Sequence, residues 1–454
     1  MKILVFIEHN SIIRHFIDSD AFSTLCSKHD VKFVLPFGHK RLGELKIEDL
    51  NLCPSIIRNL PVCNLRESLW NMRFFVELLR IQKGWSRSER KQKREIFKKL
   101  NPLKTYILFR FLGLPGIFNL FTFFVNNKLE SNPNLLLNSL LREEKPDVII
   151  HPSVLRGVYI NDLIDSGNKM KIPVVVVMNS WDNPCSKRSV VSNNYKLLVW
   201  GPQSRAHAER LMHMTPKNII EFGAAQFDVY KSPSRFSRSK ILRDHDLEPD
   251  KLTILYAGTS KETDEFSHLV MIDDAISSGK LPKINIIYRP HPWGEGGINP
   301  KRFINYKFRH VSVDLSMREY LSNIPKGKKV FYKADYLDTR DILESVDGVI
   351  SPLSTILLES MIIGKAPLCF MPIDEKEADH FQLYKEDIHV KEMLDVKEIL
   401  VVWGRSNLIN GIKKLIENIS KKEFTEKLKK SSEFFVKNYK LTFKERIVDY
   451  IETL

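Results

Sequence analysis

The chain has 454 residues, 43% of them hydrophobic and 28% charged, and a formal net charge of +15. It is too long for one ordinary core and too apolar for a disordered chain, so two or three folded domains are expected. The excess of Lys and Arg favours a polyanionic neighbour: nucleic acid, an anionic membrane face or a phosphorylated substrate.

The opening MKILVFIEHN has one lysine, a short apolar run and then polar residues, with no small-residue cleavage site. It reads as a buried first strand rather than a signal peptide. Further strands are expected at 31–37, 148–151, 174–178, 197–201 and 219–223, and in the second half at 253–258, 284–288, 330–333, 348–351 and 368–371. Most are continuous apolar runs, as when helices cover both faces of a parallel sheet. Their alternation with helix-period segments predicts an α/β fold of two Rossmann-like doubly wound domains facing a cleft. The predicted boundaries are a first domain at 1–225, a linker at 226–251 containing Pro233 and Pro249, a second domain at 252–435, and a C-terminal helix at 436–454 able to pack back on the first domain.

Within the first domain, about 51–134 reads as a basic and aromatic helical insertion. From Arg80 to Lys104 there are ten Lys or Arg and two acids, followed by the apolar stretch TYILFRFLGLPGIFNLFTFFVNN at 105–127. A spanning helix wants roughly 20 uninterrupted apolar residues, and Arg110, Gly113, Pro115 and Gly116 interrupt this one. Two readings follow: an interfacial anchor on an anionic membrane surface through about 80–127, or a buried helical hairpin beside a solvated basic helix.

The five cysteines, Cys26, Cys53, Cys63, Cys185 and Cys369, form no CxxC pair. This speaks against disulfides and structural zinc and for a reducing compartment. Neither Asp18-Ser-Asp20 nor Asp244-His-Asp246 ends an apolar strand, so no metal is expected. The sequence has no HExxH, GxSxG, Walker or GxGxxG motif, which argues against zinc proteases, α/β-hydrolases, P-loop enzymes and dinucleotide oxidoreductases. No cofactor is expected.

Three strand ends carry candidate chemistry. The strand at 284–288 runs into Arg289-Pro-His291-Pro. Ligands of open α/β sheets bind at strand C-termini, the two prolines fix the backbone, and Arg with His suits a phosphate. The strand at 348–351 is followed by Pro-Leu-Ser354-Thr355 and a helix carrying Glu359. Its N-terminus can take an anion, with Glu359 in reach of a ribose hydroxyl; alone, the same pattern is an ordinary capped helix. Gly258, Thr259, Ser260 and Lys261, after the strand at 253–258, can add phosphate contacts. In the first domain, Asp182 beside Trp181 is a candidate general base with a raised pKa, or else a turn-forming residue before Pro184. Glu8 and His9, at the end of the first strand, are alternative bases.

The Arg289-Pro-His-Pro run and the Ser351-Pro-Leu-Ser-Thr-Ile-Leu-Leu-Glu359 run resemble the nucleotide half of GT-B glycosyltransferases. The likeness is to the bacterial surface-polysaccharide group related to CDP-glycerol glycerophosphotransferases and to sialyl- and Kdo-transferases, and it covers about 148–376. It implies that Arg289, His291, Ser354 and Thr355 bind donor phosphates and Glu359 the ribose, without a metal. The glycerophosphotransferase Asp-Tyr-Ser-Ser run is absent, which favours sugar transfer. The expected function is therefore a glycosyltransferase that takes a nucleotide-sugar donor and a surface-glycan or lipid-linked acceptor. Its expected location is cytoplasmic, attached peripherally to the inner face of the cell membrane. The alternatives are a CDP-polyol phosphotransferase, a nucleotide-sugar epimerase on the same fold, and a nucleic-acid-binding protein. No nucleic acid is expected as partner, because the basic and aromatic residues are consecutive rather than interleaved.

Overall fold

The computed structural model describes residues 1–37, 54–79, 102–259, 263–292, 302–323, 334–374 and 385–454. The chain forms two units, Met1–Gln226 with Phe435–Leu454, and Phe227–Phe434.

The first unit holds a seven-stranded parallel sheet in the order β3-β2-β1-β4-β5-β6-β7. Its strands are β1 Lys2–Phe6, β2 Asp30–Phe37, β3 Ile57–Pro61, β4 Val148–Ser153, β5 Val174–Met178, β6 Lys196–Val199 and β7 Ile219–Glu221. Val5 pairs with Phe33 on one side and with Ile150 on the other. β4 and β5 are buried along their whole length, which is why β5 is an unbroken apolar run and β4 begins as one. β3 was not anticipated: its IRNLP sequence is half polar, as an edge strand can be.

Between β3 and β4 stand helices α1 (Asn64–Leu79), α2 (Leu103–Leu112) and α3 (Ile117–Ser131). Val76 of α1 and Phe121, Val125 and Leu129 of α3 make a small core of their own. Arg66, fully buried, ties α1 to its surroundings: it donates to Asp162 Oδ1 at 2.7 Å, Asp165 Oδ2 at 2.9 Å, and the carbonyls of Leu129 and Asn132. Asp162 lies on α4 (Ile160–Met170), which packs on the sheet.

The second unit has a six-stranded parallel sheet, β10-β9-β8-β11-β12-β13. Its strands are β8 Thr253–Ala257, β9 Asn285–Arg289, β10 Val311–Val313, β11 Gly348–Ser351, β12 Ala366–Met371 and β13 Leu400–Trp403. The helices used below are α5 (Glu265–Ser277), α6 (Tyr336–Ser345) and α7 (Thr355–Ile363). Gly364 ends α7 in the left-handed conformation at φ 77°, as a C-terminal glycine can without strain. The short edge strands β10 and β13 carry too little pattern to be read in advance. The strand expected at 330–333 lies outside the described residues.

One expectation is corrected, and the C-terminal helix lies where it was expected. The stretch 226–251 is not a linker: from Phe227 it folds with the second unit. Arg235 pairs with Asp338 and Asp341, and Arg238 with Asp347, and Ile241 and Leu242 enter its core. The C-terminal stretch 435–454 belongs to the first unit. Its helix α8 (Phe443–Ile451) buries Phe443, Ile447, Val448 and Ile451 in the core around β1, with Phe443 edge-on to Phe222 at 5.2 Å.

Candidate functional site

Numbered by their place in the chain, the second sheet's strands run 3-2-1-4-5-6, so the strand order reverses between β8 and β11. In such sheets a crevice for ligands opens outside the C-terminal ends of the strands at the reversal. The loops leaving β8 and β11 are the Gly258–Thr259 loop and the Ser351–Ser354 loop, two of the three motifs read from sequence. Ser260 and Lys261 lie outside the described residues.

The β8 loop wraps a carboxylate of the protein itself. Glu265, at the first position of α5, is buried and accepts the backbone N–H of Thr259 at 2.7 Å and the Tyr288 hydroxyl at 2.6 Å. Burial raises its pKa, against the pull of those donors. Gly258 is required here, since a Cβ would lie 2.6 Å from Glu265 Oε2.

At β11 the polar side chains are Ser351, Ser354 and Thr355. Ser354 is the extended N-cap residue of α7, at φ −153° and ψ 158°, but its side chain makes no capping bond. Thr355 is half-buried. Ser351 is fully buried, and its Oγ has no hydrogen-bond partner among the described residues. The Leu357 N–H turns back to the Ser354 carbonyl at 3.2 Å, and the start of α7 offers the positive end of its dipole to an anion.

Two residues expected at the ligand are held by partners within the protein. Arg289 is buried, and its guanidinium pairs with Asp314 and donates to Ser316 Oγ and Thr339 Oγ1, each at 3.0 Å. Burial alone would raise the pKa of Asp314, but Arg289 and His245 outweigh it and hold that carboxylate at about 2. Arg289 is thus bound into a buried pair with Asp314. Glu359 is buried too and accepts the Tyr230 hydroxyl. Burial, then the neighbouring carboxylate, pushes the Tyr230 phenol well above its ordinary pKa, so this proton stays between the two oxygens. Sequence reading missed Asp314, Glu265, Tyr230 and Tyr288, since isolated polar residues after short strands or inside helices carry no local signal. His291 follows β9 between its two prolines, half-buried.

In the first unit the strand order reverses between β1 and β4. Glu8, expected as a base, is buried at that point. It accepts His151 Nε2 at 2.6 Å and the N–H groups of Val158 and Tyr159 at 2.6 and 3.1 Å. These bonds bind its carboxylate into the β4 loop and leave it a positioning element. Asp182, expected against Trp181 with a raised pKa, instead pairs with Lys187 at 3.2 Å and accepts Ser186 Oγ at 2.7 Å, while Trp181 packs on Phe435 at 5.9 Å. It opens a π-helical turn, Asn183–Lys187, and a second such turn, Ile13–Ile17, follows β1; the charge of Lys187 is felt by both His9 and His15.

His9 is the one of the three acid–base candidates whose side chain is exposed. Its Nδ1 accepts the Ser11 N–H at 3.1 Å, so the neutral ring carries its proton on Nε2 and is a donor there. Desolvation of the ring, then Lys187, lowers its pKa against the opposing pull of Glu8. His15 is pushed down to about 3 by burial and by Arg14 and Lys187. Among the described residues no group of three or more His, Cys, Asp or Glu side chains is placed to hold a metal ion.

No protein-family model matches the sequence, and no curated protein matches it. Solved structures do match along the whole chain. UDP-GlcNAc 2-epimerase from Neisseria meningitidis, bound to UDP-GlcNAc, is 11% identical with a TM-score of 0.53, covering 100% of both chains. The S. aureus MnaA–UDP structure is 11% identical with a TM-score of 0.51, covering 100% of this chain and 96% of that one. UDP-GlcNAc 2-epimerase from Methanocaldococcus jannaschii is 14% identical with a TM-score of 0.50, covering 100% of both. At such identities the likeness is one of fold. The chain has the GT-B fold, two Rossmann-like α/β units with parallel sheets.

Proposed function

We propose that this chain is an enzyme of nucleotide-activated sugars, and specifically a glycosyltransferase acting on a surface-glycan or lipid-linked acceptor. The observation that carries the reading is the switch point of the second unit. There the uncapped N-terminus of α7, with Ser354, Thr355 and buried Ser351, lies beside the rigid Gly258–Thr259 loop. Backbone N–H groups at a helix start bind a diphosphate through charge-assisted bonds and stabilise the charge that grows on a leaving nucleotide. His291, at the end of the neighbouring β9, adds a donor. The sequence motifs favour the surface-polysaccharide group related to CDP-glycerol and sialyl- and Kdo-transferases.

A second reading, a nucleotide-sugar 2-epimerase, is favoured by the names of the solved structures of like fold, two of which were determined with UDP-GlcNAc or UDP. A UDP-linked donor is common to both readings.

Thermal stabilisation by UDP, GDP, CDP, CMP and ADP tests the shared part. A nucleotide at a hundredfold its Kd adds about 2.7 kcal/mol, and we expect this from UDP. No response to any of the five would remove the donor site and revive a nucleic-acid-binding role. Response to the cytidine nucleotides alone would favour a polyol-phosphate or sialyl-type donor. With UDP-GlcNAc as substrate, UDP release that requires an added acceptor marks a transferase, and acceptor-free conversion to the C2 epimer marks an epimerase.

A further inference from the structure

We propose that the outer face of α2 and α3 is a membrane-docking surface that lies in the interface of an anionic lipid bilayer. Leu103, Ile107, Leu108 and Phe111 of α2, and Phe123 and Phe124 of α3, are each between 51% and 68% exposed. Their spacings, i, i+4, i+5, i+8 on α2 and adjacent positions on α3, put each set on one helix face. The opposite face of α3 carries Phe121, Val125 and Leu129, which pack against α1. The helices are therefore apolar on both sides, and only one side is covered. Single exposed apolar residues are ordinary, but a contiguous set on two neighbouring helices marks an interaction surface.

The geometry decides between crossing a membrane and lying on it. No single helix among the described residues is long and apolar enough to cross; α2 and α3 together have the length and composition for it, but they are bent by 103° at the break between them. At 1.5 Å per residue α3 is about 22 Å long, short of the ~30 Å hydrocarbon core. A helix with one face docked on protein and the other apolar and open suits the plane of the interface. The inner face is held firmly, because the buried Arg66 bonds both α1 and the end of α3 to α4. A buried helical hairpin, the alternative read from sequence, leaves the outer face unexplained.

Charge selects the occupant. The chain has a formal net charge of +15, and in the described stretch 102–131 Lys104, Arg110 and Lys128 stand against one acid, Glu130. A second copy of the chain would bring the same positive charge to the contact and be repelled, whereas an anionic leaflet attracts it over a Debye length of about 8 Å.

The test is co-sedimentation of the full chain with vesicles of phosphatidylcholine alone and of phosphatidylcholine with phosphatidylglycerol. We expect pelleting with the anionic vesicles only, and its loss as salt rises toward ~1 M. Phe123→Glu with Phe124→Glu should weaken the partition by about tenfold or more, since each ring leaves apolar surroundings. Ile107→Ser with Phe111→Ser is the second variant. Both change exposed side chains, so circular dichroism and the thermal midpoint should stay as in the parent. Wild-type protein that remains in the supernatant, equal pelleting with neutral vesicles, or variants that bind as the parent does would each overturn the proposal. So would a wild-type dimer, dissolved by either variant, that ignores lipid, for then the face joins two copies of the chain. Vesicle binding and nucleotide binding are read separately, and either can fail alone.

Discussion

The carboxylate of Glu265 and the backbone N–H of Thr259 meet at 2.7 Å, so the loop after β8 is shaped from within by a buried acid. The Tyr288 hydroxyl holds the other oxygen at 2.6 Å, and its ring stacks on Phe303 at 4.6 Å. Gly258→Ala would drive a methyl into this carboxylate, to 2.6 Å. We expect a loss of about 1–3 kcal/mol in urea unfolding together with weaker nucleotide binding. An unchanged urea midpoint would show that the carboxylate can move aside and that the loop is not rigid.

Arg289 and Asp314 test whether the arginine serves the fold or the ligand. Arg289→Ala strands a buried carboxylate that its partner now holds at about 2, at a cost of about 3–5 kcal/mol. Nucleotide affinity, measured by calorimetry under conditions where the variant is folded, should change by less than that. A large loss of affinity with little loss of stability would return Arg289 to the phosphates.

His291→Ala should behave in the opposite way. Losing a donor to a charged phosphate costs about 1–3 kcal/mol of binding, while the half-buried loop position predicts little change in thermal midpoint. Equal affinity in wild type and variant removes His291 from the site.

His15 makes the first unit sensitive to acid. Its folded pKa is about 3 against roughly 6.5 when unfolded. Between those values the unfolded chain binds a proton that the folded chain refuses, so stability is lost as pH falls. The slope from this group is up to about 1.4 kcal/mol per pH unit. His15→Gln should flatten the unfolding curve between roughly pH 6.5 and 3; a variant as acid-sensitive as wild type would place the sensitivity elsewhere.

Arg66→Leu should detach the helical insertion. It removes every bond by which Asp162 and Asp165 hold α1 through that guanidinium, leaving Trp70 and Asn134 on Asp162. About 3–5 kcal/mol should go, with faster proteolysis within α2 and α3. Wild-type protease resistance would mean that the apolar contacts of Val76 with Phe121 and Val125 suffice.

The architecture was legible in the chain because both faces of a parallel sheet are covered. β5 had to be an unbroken apolar run, and β4, β8 and β9 had to carry apolar centres, and their alternation with helices implied two doubly wound units. The motifs at Gly258, His291 and Ser354 stood out in the sequence because each follows an apolar strand. The roles of individual charged residues were decided only in three dimensions. Arg289 reads as a phosphate ligand until Asp314, a neighbour only through β10, takes its charge. Glu359 reads as a ribose ligand until Tyr230 covers it, and Asp182 as a lone acid until the π-helical turn brings Lys187 and Ser186 onto it. A charge's function depends on its partner, and partners that come from other strands leave no mark in the local sequence.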